Sequence, residues 1–206
     1  MRTKRLAKQL VMQDPRVLPF NPETEQPTWA DVFGRKAPLH LEVGMGSGRH
    51  LAHTAKNQPE TNHVGLESKY YRVLKGTWWA NELSIDNTRY LLGDCYEMDE
   101  AFAAGEVDAI TMLFPDPWPR AKGDRFRLTN PTLVERYKRW LKPGGYFHFR
   151  SDHELMFTYS LERFRRAGFE IEVSVPIQRV QSDFEMRFLS KGLPIYGFVA
   201  RRPLDA

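Results

Sequence analysis

From Pro38 onward the chain alternates short apolar runs with longer amphipathic stretches, and this rhythm constrains the fold more than any other feature of the sequence. A strand buried on both faces reads as a brief apolar run, whereas a helix lying on a sheet repeats its apolar residues every three or four positions. Leu39–Val43 reads as a first strand, Gly44–Gly48 as a glycine-rich turn, and Arg49–Asn57 as a helix stopped before Pro59. His63–Glu67 is the second strand, followed by a helix over Lys69–Leu83 with Val73, Leu74, Trp78 and Leu83 at helical period. Thr88–Leu92 is a third strand, with a short helix near Glu97–Ala103, and Val107–Leu113 is the fourth. After a proline-rich segment and a basic loop, a helix from Pro131 to Trp140 ends at Lys142-Pro143-Gly144-Gly145, and Tyr146–Arg150 is the fifth strand. A helix over His153–Ala167 turns Leu155, Met156, Tyr159, Leu161 and Phe164 inward and is closed by Gly168. Phe169–Val175 and Ile195–Ala200 are the last two strands. The reading is α/β, a doubly wound sheet whose ligands sit beyond the carboxyl ends of the strands.

A length of 206 residues suits one domain. Ahead of it, Pro15, Pro19, Pro22 and Pro27 make an irregular start, so residues 1–30 are expected as a flexible basic arm and 31–206 as the domain. A chain that is 41% hydrophobic and 13% aromatic can fill a core. No stretch approaches the roughly 18 apolar residues of a membrane span, and no apolar run follows the basic start, so a cytoplasmic protein off the membrane is expected. The single cysteine, Cys95, excludes an internal disulfide and a cysteine-cluster metal site, and the six histidines are scattered, so no metal is expected. Cations outnumber acids in two places: Arg2, Lys4, Arg5, Lys8 and Arg16 against Asp14, and Arg120, Lys122, Arg125 and Arg127 against Asp124. Such patches suit a polyanion, since neutralising phosphates releases condensed counterions; a solvated tail and loop is the plainer alternative.

The loops after the strands carry the chemistry. Glu42-Val43-Gly44-Met45-Gly46-Ser47-Gly48 has the spacing E-x-G-x-G-x-G, in which Gly44, Gly46 and Gly48 let the main chain approach a ligand. A dinucleotide fingerprint would need glycine where Arg49 stands. Glu67 ends the second strand, where a carboxylate can accept both ribose hydroxyls, Asp94 follows the third and Asp116 the fourth. Each acid alone could be only a cap or turn residue. Four together would repel a pyrophosphate and attract a sulfonium and an ammonium, the two cations of S-adenosylmethionine. Phe114-Pro115-Asp116-Pro117-Trp118-Pro119 reads as a stiff extended ribbon, with Asp116 and Trp118 on one side as a seat for a planar base.

On these residues the chain resembles the bacterial tRNA (guanine-N7-)-methyltransferases, over about residues 27 to 202. The matching pieces are the Glu42–Gly48 loop, Val64-Gly65-Leu66-Glu67, Phe114–Pro119 with its basic segment, Arg150-Ser151-Asp152, and Ser182-Asp183-Phe184-Glu185 with Pro194-Ile195-Tyr196 beyond. The resemblance implies a Rossmann-like sheet of the class I methyltransferase type, mostly parallel, with seven strands of which the last is antiparallel. It implies S-adenosylmethionine as cofactor, tRNA as partner, N7 of guanine 46 in the variable loop as acceptor, and a monomer or homodimer. Carried over motif by motif, Glu42, Gly44, Gly46, Gly48, Glu67, Asp94 and Asp116 look like cofactor contacts, with Asp116 also at the catalytic position. Trp118, Arg120, Asp152, Ser182, Asp183, Phe184 and Glu185 look like substrate contacts, and Lys122, Arg125 and Arg127 like RNA contacts. Ala121, Gly123 and Phe126 interrupt a basic run that is denser in the family.

Guanine N7 has a free lone pair and needs no base, so positioning carries the chemistry. Asp152 and Glu185 could accept hydrogen bonds from the N1 and N2 edge of guanine. Three other readings compete: a methyltransferase of another RNA, a small molecule or a protein; a non-catalytic tRNA-binding protein; and a nicotinamide-dependent oxidoreductase, which Arg49 disfavours.

Overall fold

Strand β2 (Leu39–Val43) and strand β3 (Asn62–Glu67) are buried at every residue, as expected of parallel strands covered on both faces. These coordinates are a computed structural model that describes residues 2–21, 27–118, 121–173 and 180–204. They fall into two compact units divided after Phe102.

In the first unit the strand order is β1 (Val17–Pro19), β4 (Thr88–Leu92), β3, β2, all parallel, with Leu18 beside Leu91, Val64 beside Arg89 and Leu41 beside Val64. Helix α3 (Arg49–Asn57) and helix α4 (Tyr70–Glu82) follow β2 and β3, and Trp29–Phe33 forms the one-turn helix α2. The start of the chain departs from the irregular arm expected. Residues Arg2–Gln13 form helix α1, and Val11 with Val17 enters a core cluster with Met45, Leu51, Val73, Ala80 and Tyr90. Arg16 fastens this segment: it pairs with Asp14 at 2.6 Å and donates to the Thr77 carbonyl on α4. Pro19 misled the sequence reading, because a proline with no N–H is tolerated where a strand lies at the sheet edge. The short helix expected near Glu97–Ala103 is two 3₁₀ turns, Cys95–Glu97 and Asp99–Ala101.

In the second unit the order is β5 (Val107–Leu113), β6 (Leu141–Ser151), β8 (Tyr196–Arg201), β7 (Glu170–Glu172). β5 and β6 are parallel, and β8 runs antiparallel to β6, as the resemblance implied. With β1 added, the strands among the described residues number eight rather than seven. β6 begins directly after helix α5 (Pro131–Trp140), so the Pro143–Gly145 turn signal sits inside a strand whose register shifts against β5 between Val107 and Ala109. Helix α6 (Glu154–Arg166) packs through its rings: the Phe164 ring centre is 4.5 Å from that of Phe147, tilted, and 5.3 Å from that of Phe198, edge-on. The sixth strand is shorter than expected, and the expected residues 174 and 175 lie outside the described residues.

Trp78, read at the apolar period of its helix, and Leu155, read as inward, both stand exposed, at 51% and 70%. The buried stripe of α4 runs through Val73, Gly76, Thr77 and Ala80, and Trp78, five residues past Val73, stands about 140° around the helix from it. On α6 the stripe is Met156, Ser160 and Phe164, which leaves Leu155 a step to one side.

Candidate active site

In the first unit, the loop between β2 and α3 places Gly44, Gly46 and Gly48 at φ of 69°, 58° and 73°, a region that side chains strain to enter. Gly48 is the N-cap of α3, and a Cβ there would stand 2.6 Å from Gly76 Cα, so the loop packs this closely on α4 only because Gly48 has no side chain. A Cβ on Gly46 would meet nothing within 4 Å, and the Gly46 N–H donates to Glu67 Oε2 at 3.2 Å.

Glu67 is 4% exposed at the end of β3. Its carboxylate also accepts the Lys69 N–H at 2.9 Å and lies 3.4 Å from the Arg72 guanidinium, so one buried acid ties the glycine loop to the start of α4. Glu42 is turned inward: it is 2% exposed, and His50 Nδ1 donates to its Oε2 at 2.7 Å. The sequence reading paired no carboxylate with His50; eight residues of separation, with the glycine turn between, hid the contact. Asp94 is exposed and accepts the Tyr96 N–H at 3.1 Å, which is the capping role weighed for it.

In the second unit, Phe114–Trp118 is less extended than its prolines imply. Phe114 and Trp118 have φ of 52° and 42°, so the simple alternation of faces fails at both ends. Left-handed backbone costs a non-glycine residue about 1–2 kcal/mol, and the surroundings hold both residues there. The Phe114 N–H donates to the Arg150 carbonyl at 2.8 Å, and its ring stacks 6.0 Å from Phe184 and 5.7 Å from Phe188. Arg127 donates to the Pro117 carbonyl at 3.1 Å and the Trp118 carbonyl at 2.9 Å, pairs with Asp124 at 2.7 Å, and lies over the Tyr159 ring. Arg127 is therefore committed to holding the ribbon, not standing free for a phosphate as expected. Gly123 lets the next turn pass close, since a Cβ there would lie 2.9 Å from Trp118 Cβ. Between these anchors Asp116 is exposed, and the Trp118 ring is 44% exposed beside Phe126 at 5.2 Å.

Asp152 is exposed just after β6, where Ser151 Oγ accepts the His153 N–H. Ser182 caps helix α7 (Asp183–Leu189) by accepting the Glu185 N–H at 3.1 Å; Asp183 and Phe184 are exposed in its first turn. No helix is expected here from apolar period, although serine with glutamate three residues later is a helix-start signature. Glu185 turns inward and forms an ion pair with Arg150, both 1% exposed. The sequence reading gave the Arg150 side chain no part. Arg125 lies over the Phe126 ring at 4.6 Å. Arg120 lies outside the described residues, as does the side chain of Lys122. Among the described residues no group of His, Cys, Asp or Glu could hold a metal ion, and no helix is long and apolar enough to cross a membrane.

A family model described as "Putative methyltransferase" matches residues 36–198. A protein of Listeria innocua named tRNA (guanine-N(7)-)-methyltransferase is 32% identical over 206 residues, 97% of this chain and 96% of the relative. One of the same name from Halalkalibacterium halodurans is 33% identical over 95% of this chain and 92% of its own. Among solved structures, the 16S rRNA methyltransferase KamB matches with a TM-score of 0.66 at 15% identity, covering 88% of this chain and 97% of that one. The antibiotic-resistance methyltransferase Kmr matches with 0.60 at 19% over 88% and 96%. These two likenesses bear out the α/β methyltransferase fold, while the two relatives span both the glycine loop and the proline ribbon. The chain belongs to the tRNA (guanine-N7-)-methyltransferase family.

Proposed function

We propose that this protein transfers a methyl group from S-adenosylmethionine to N7 of guanine 46 in the variable loop of tRNA. The observation that carries the reading is the relation to enzymes of that name over 97% of the chain, which takes in every segment holding a candidate residue.

The first unit fits the cofactor. The Gly46 side is open, and the buried Glu67 carboxylate at the strand end is the kind of acceptor a ribose diol takes. Gly44, Gly46, Gly48 and Glu67 would hold the group, with the second oxygen of Asp94 beside the adenosine and Glu42 acting through His50 on the loop behind. When bound, S-adenosylmethionine supplies an electrophilic methyl on a sulfonium. The protein's own part is alignment and electrostatics. The exposed Trp118 ring offers a face to guanine, Asp116 orients the acceptor, and the imidazole ring, which gains positive charge on methylation, is stabilised by the nearby carboxylate. Asp152 and Glu185 accept from the N1–H and N2–H edge, which selects guanine over adenine, and Ser182, Asp183 and Phe184 place that edge. Lys122, Arg125 and Arg120 meet tRNA phosphates. We place the protein in the cytoplasm, as a monomer or homodimer.

The test is nucleoside mass spectrometry of unmodified tRNA incubated with the protein and S-adenosylmethionine, with the product mapped by cleavage at 7-methylguanosine. A single 7-methylguanosine in the variable loop is expected. Methylation of another base, or tRNA binding with no product, would transfer the reading to one of its competitors.

A further inference from the structure

The buried ion pair of Arg150 and Glu185 joins the carboxyl end of β6 to the first turn of α7. Glu185 Oε1 takes the guanidinium, while Oε2, equally buried, has no hydrogen-bond partner. Folded proteins rarely leave a buried charged acceptor unmet, because it forfeits its hydration without compensation. At a candidate substrate contact, such an unmet acceptor is one that a donor on the ligand could satisfy.

Arg150 reaches the same place from a second direction. Its carbonyl accepts the Phe114 N–H, which opens the ribbon carrying Asp116 and Trp118. The Phe114 ring stacks on Phe184 and Phe188, the helix that carries Glu185. One residue thus fixes the ribbon through its main chain and α7 through its side chain, and Asp152 stands two residues beyond it. A buried carboxyl group with no cation beside it takes up a proton and becomes a donor, of no use to the two N–H donors of guanine. A guanidinium on one oxygen keeps the group an anion and leaves the other oxygen to accept.

We propose that Arg150 is the positioning residue of the guanine site, holding Glu185 ionised and aiming its free oxygen at the N1–H and N2–H edge of the base. The proposal rests on reading Glu185 as a guanine contact. Arginine suits the task because its planar fork fixes direction as well as charge, where lysine offers a point charge.

The test uses the full chain with R150M, R150K, E185Q and the double variant R150M/E185Q. Single-turnover methylation is measured on two synthetic tRNAs, one with guanosine and one with inosine at the target, since inosine keeps N7 and N1–H but lacks the N2 amine. Wild type should prefer guanosine. R150M should lower the guanosine rate about a hundredfold and bring the guanosine-to-inosine ratio near one, with S-adenosylhomocysteine affinity changed less than threefold. R150K should recover at least a tenth of the wild-type rate and part of the ratio. If R150M fails to fold, the double variant, which leaves no buried charge unpaired, replaces it and should discriminate no better than E185Q. The proposal is overturned if R150M, or the double variant in its place, keeps the wild-type ratio, or if R150K recovers nothing beyond R150M. Should E185Q itself keep the wild-type ratio, Glu185 is not a guanine contact, and the reading beneath the proposal fails separately from it.

Discussion

In the loop after β2, three residues take left-handed backbone without strain because they carry no side chain. In the ribbon after β5, Phe114 and Trp118 take the same backbone with two of the largest side chains available. The first loop keeps its main-chain donors and spends one of them, the Gly46 N–H, on a buried acid. The second has lost three donors to proline, so it is held from outside: its carbonyls by Arg127, its Phe114 N–H by the Arg150 carbonyl, and the Phe114 ring by the phenylalanines of α7. The glycine loop is therefore stable in its own right and coupled to the core beneath it. The ribbon depends on its neighbours and leaves Asp116 and Trp118 at the surface. Substitutions in the first should be felt as lost stability, and those in the second as lost turnover.

The strongest challenge to that contrast is Gly48→Ala, which combines left-handed backbone with a 2.6 Å approach to Gly76 Cα. It should cost roughly 3 kcal/mol in urea unfolding, against about 1 kcal/mol for Gly46→Ala, where the added methyl meets open space. Equal losses at the two positions would mean that the helix contact contributes nothing. Next is Asp116→Ala, expected to slow single-turnover methylation about a hundredfold, equivalent to roughly 2.7 kcal/mol, with an unfolding midpoint within error of wild type. A stability loss comparable to that of Gly48→Ala would erase the division.

A third prediction concerns acid. His63 is fully buried on β3, its Nδ1 3.1 Å from that of His40, and burial pushes its pKa down from 6.5 to about 4. The unfolded chain then binds a proton that the folded chain refuses. The stability tied to His63 is complete above pH 6.5 and falls away as the pH drops toward 4. Between pH 7 and pH 5 wild type should lose about 2 kcal/mol more than His63→Asn. A parallel fall in both proteins would clear His63. The smallest effect is expected at Arg125, outside the clamp that holds the ribbon. Arg125→Ala should reduce the salt slope of tRNA binding by about 0.7–0.9 for one lost phosphate contact and leave turnover at saturation intact. Arg127→Ala, which frees the carbonyls of Pro117 and Trp118, should instead lower turnover.

The contrast between the two loops also explains what could be read in advance. β2, α3, β4, β5 and α5 are bounded where their apolar period and their glycine or proline punctuation put them, because local signals suffice for buried parallel strands and the helices on them. The glycine loop was legible for the same reason. The ribbon misled: proline statistics favour extended neighbours, while ring stacking and an arginine clamp, contacts remote in sequence, imposed left-handed backbone on Phe114 and Trp118. Arg127 read as a surface cation for want of any local sign of Tyr159, Pro117 or Trp118 beside it. Glu42 read as open because His50 closes on it only after the turn folds. Candidate residues could be named from the sequence; which charges they had already spent could not.

Strand β1 is only three residues long, yet it occupies the outer edge of the first unit and covers β4, whose residues Thr88–Leu92 are β-prone and carry one charge. An uncovered strand of that composition is a template for pairing with another chain, and a short strand ending in proline blunts it because the next molecule finds no complete ladder to extend. The residues ahead of the methyltransferase core thus cover a strand edge that would otherwise be open to pairing. Shortening the protein at its start would then be felt first in its solubility, before any change in the chemistry it performs.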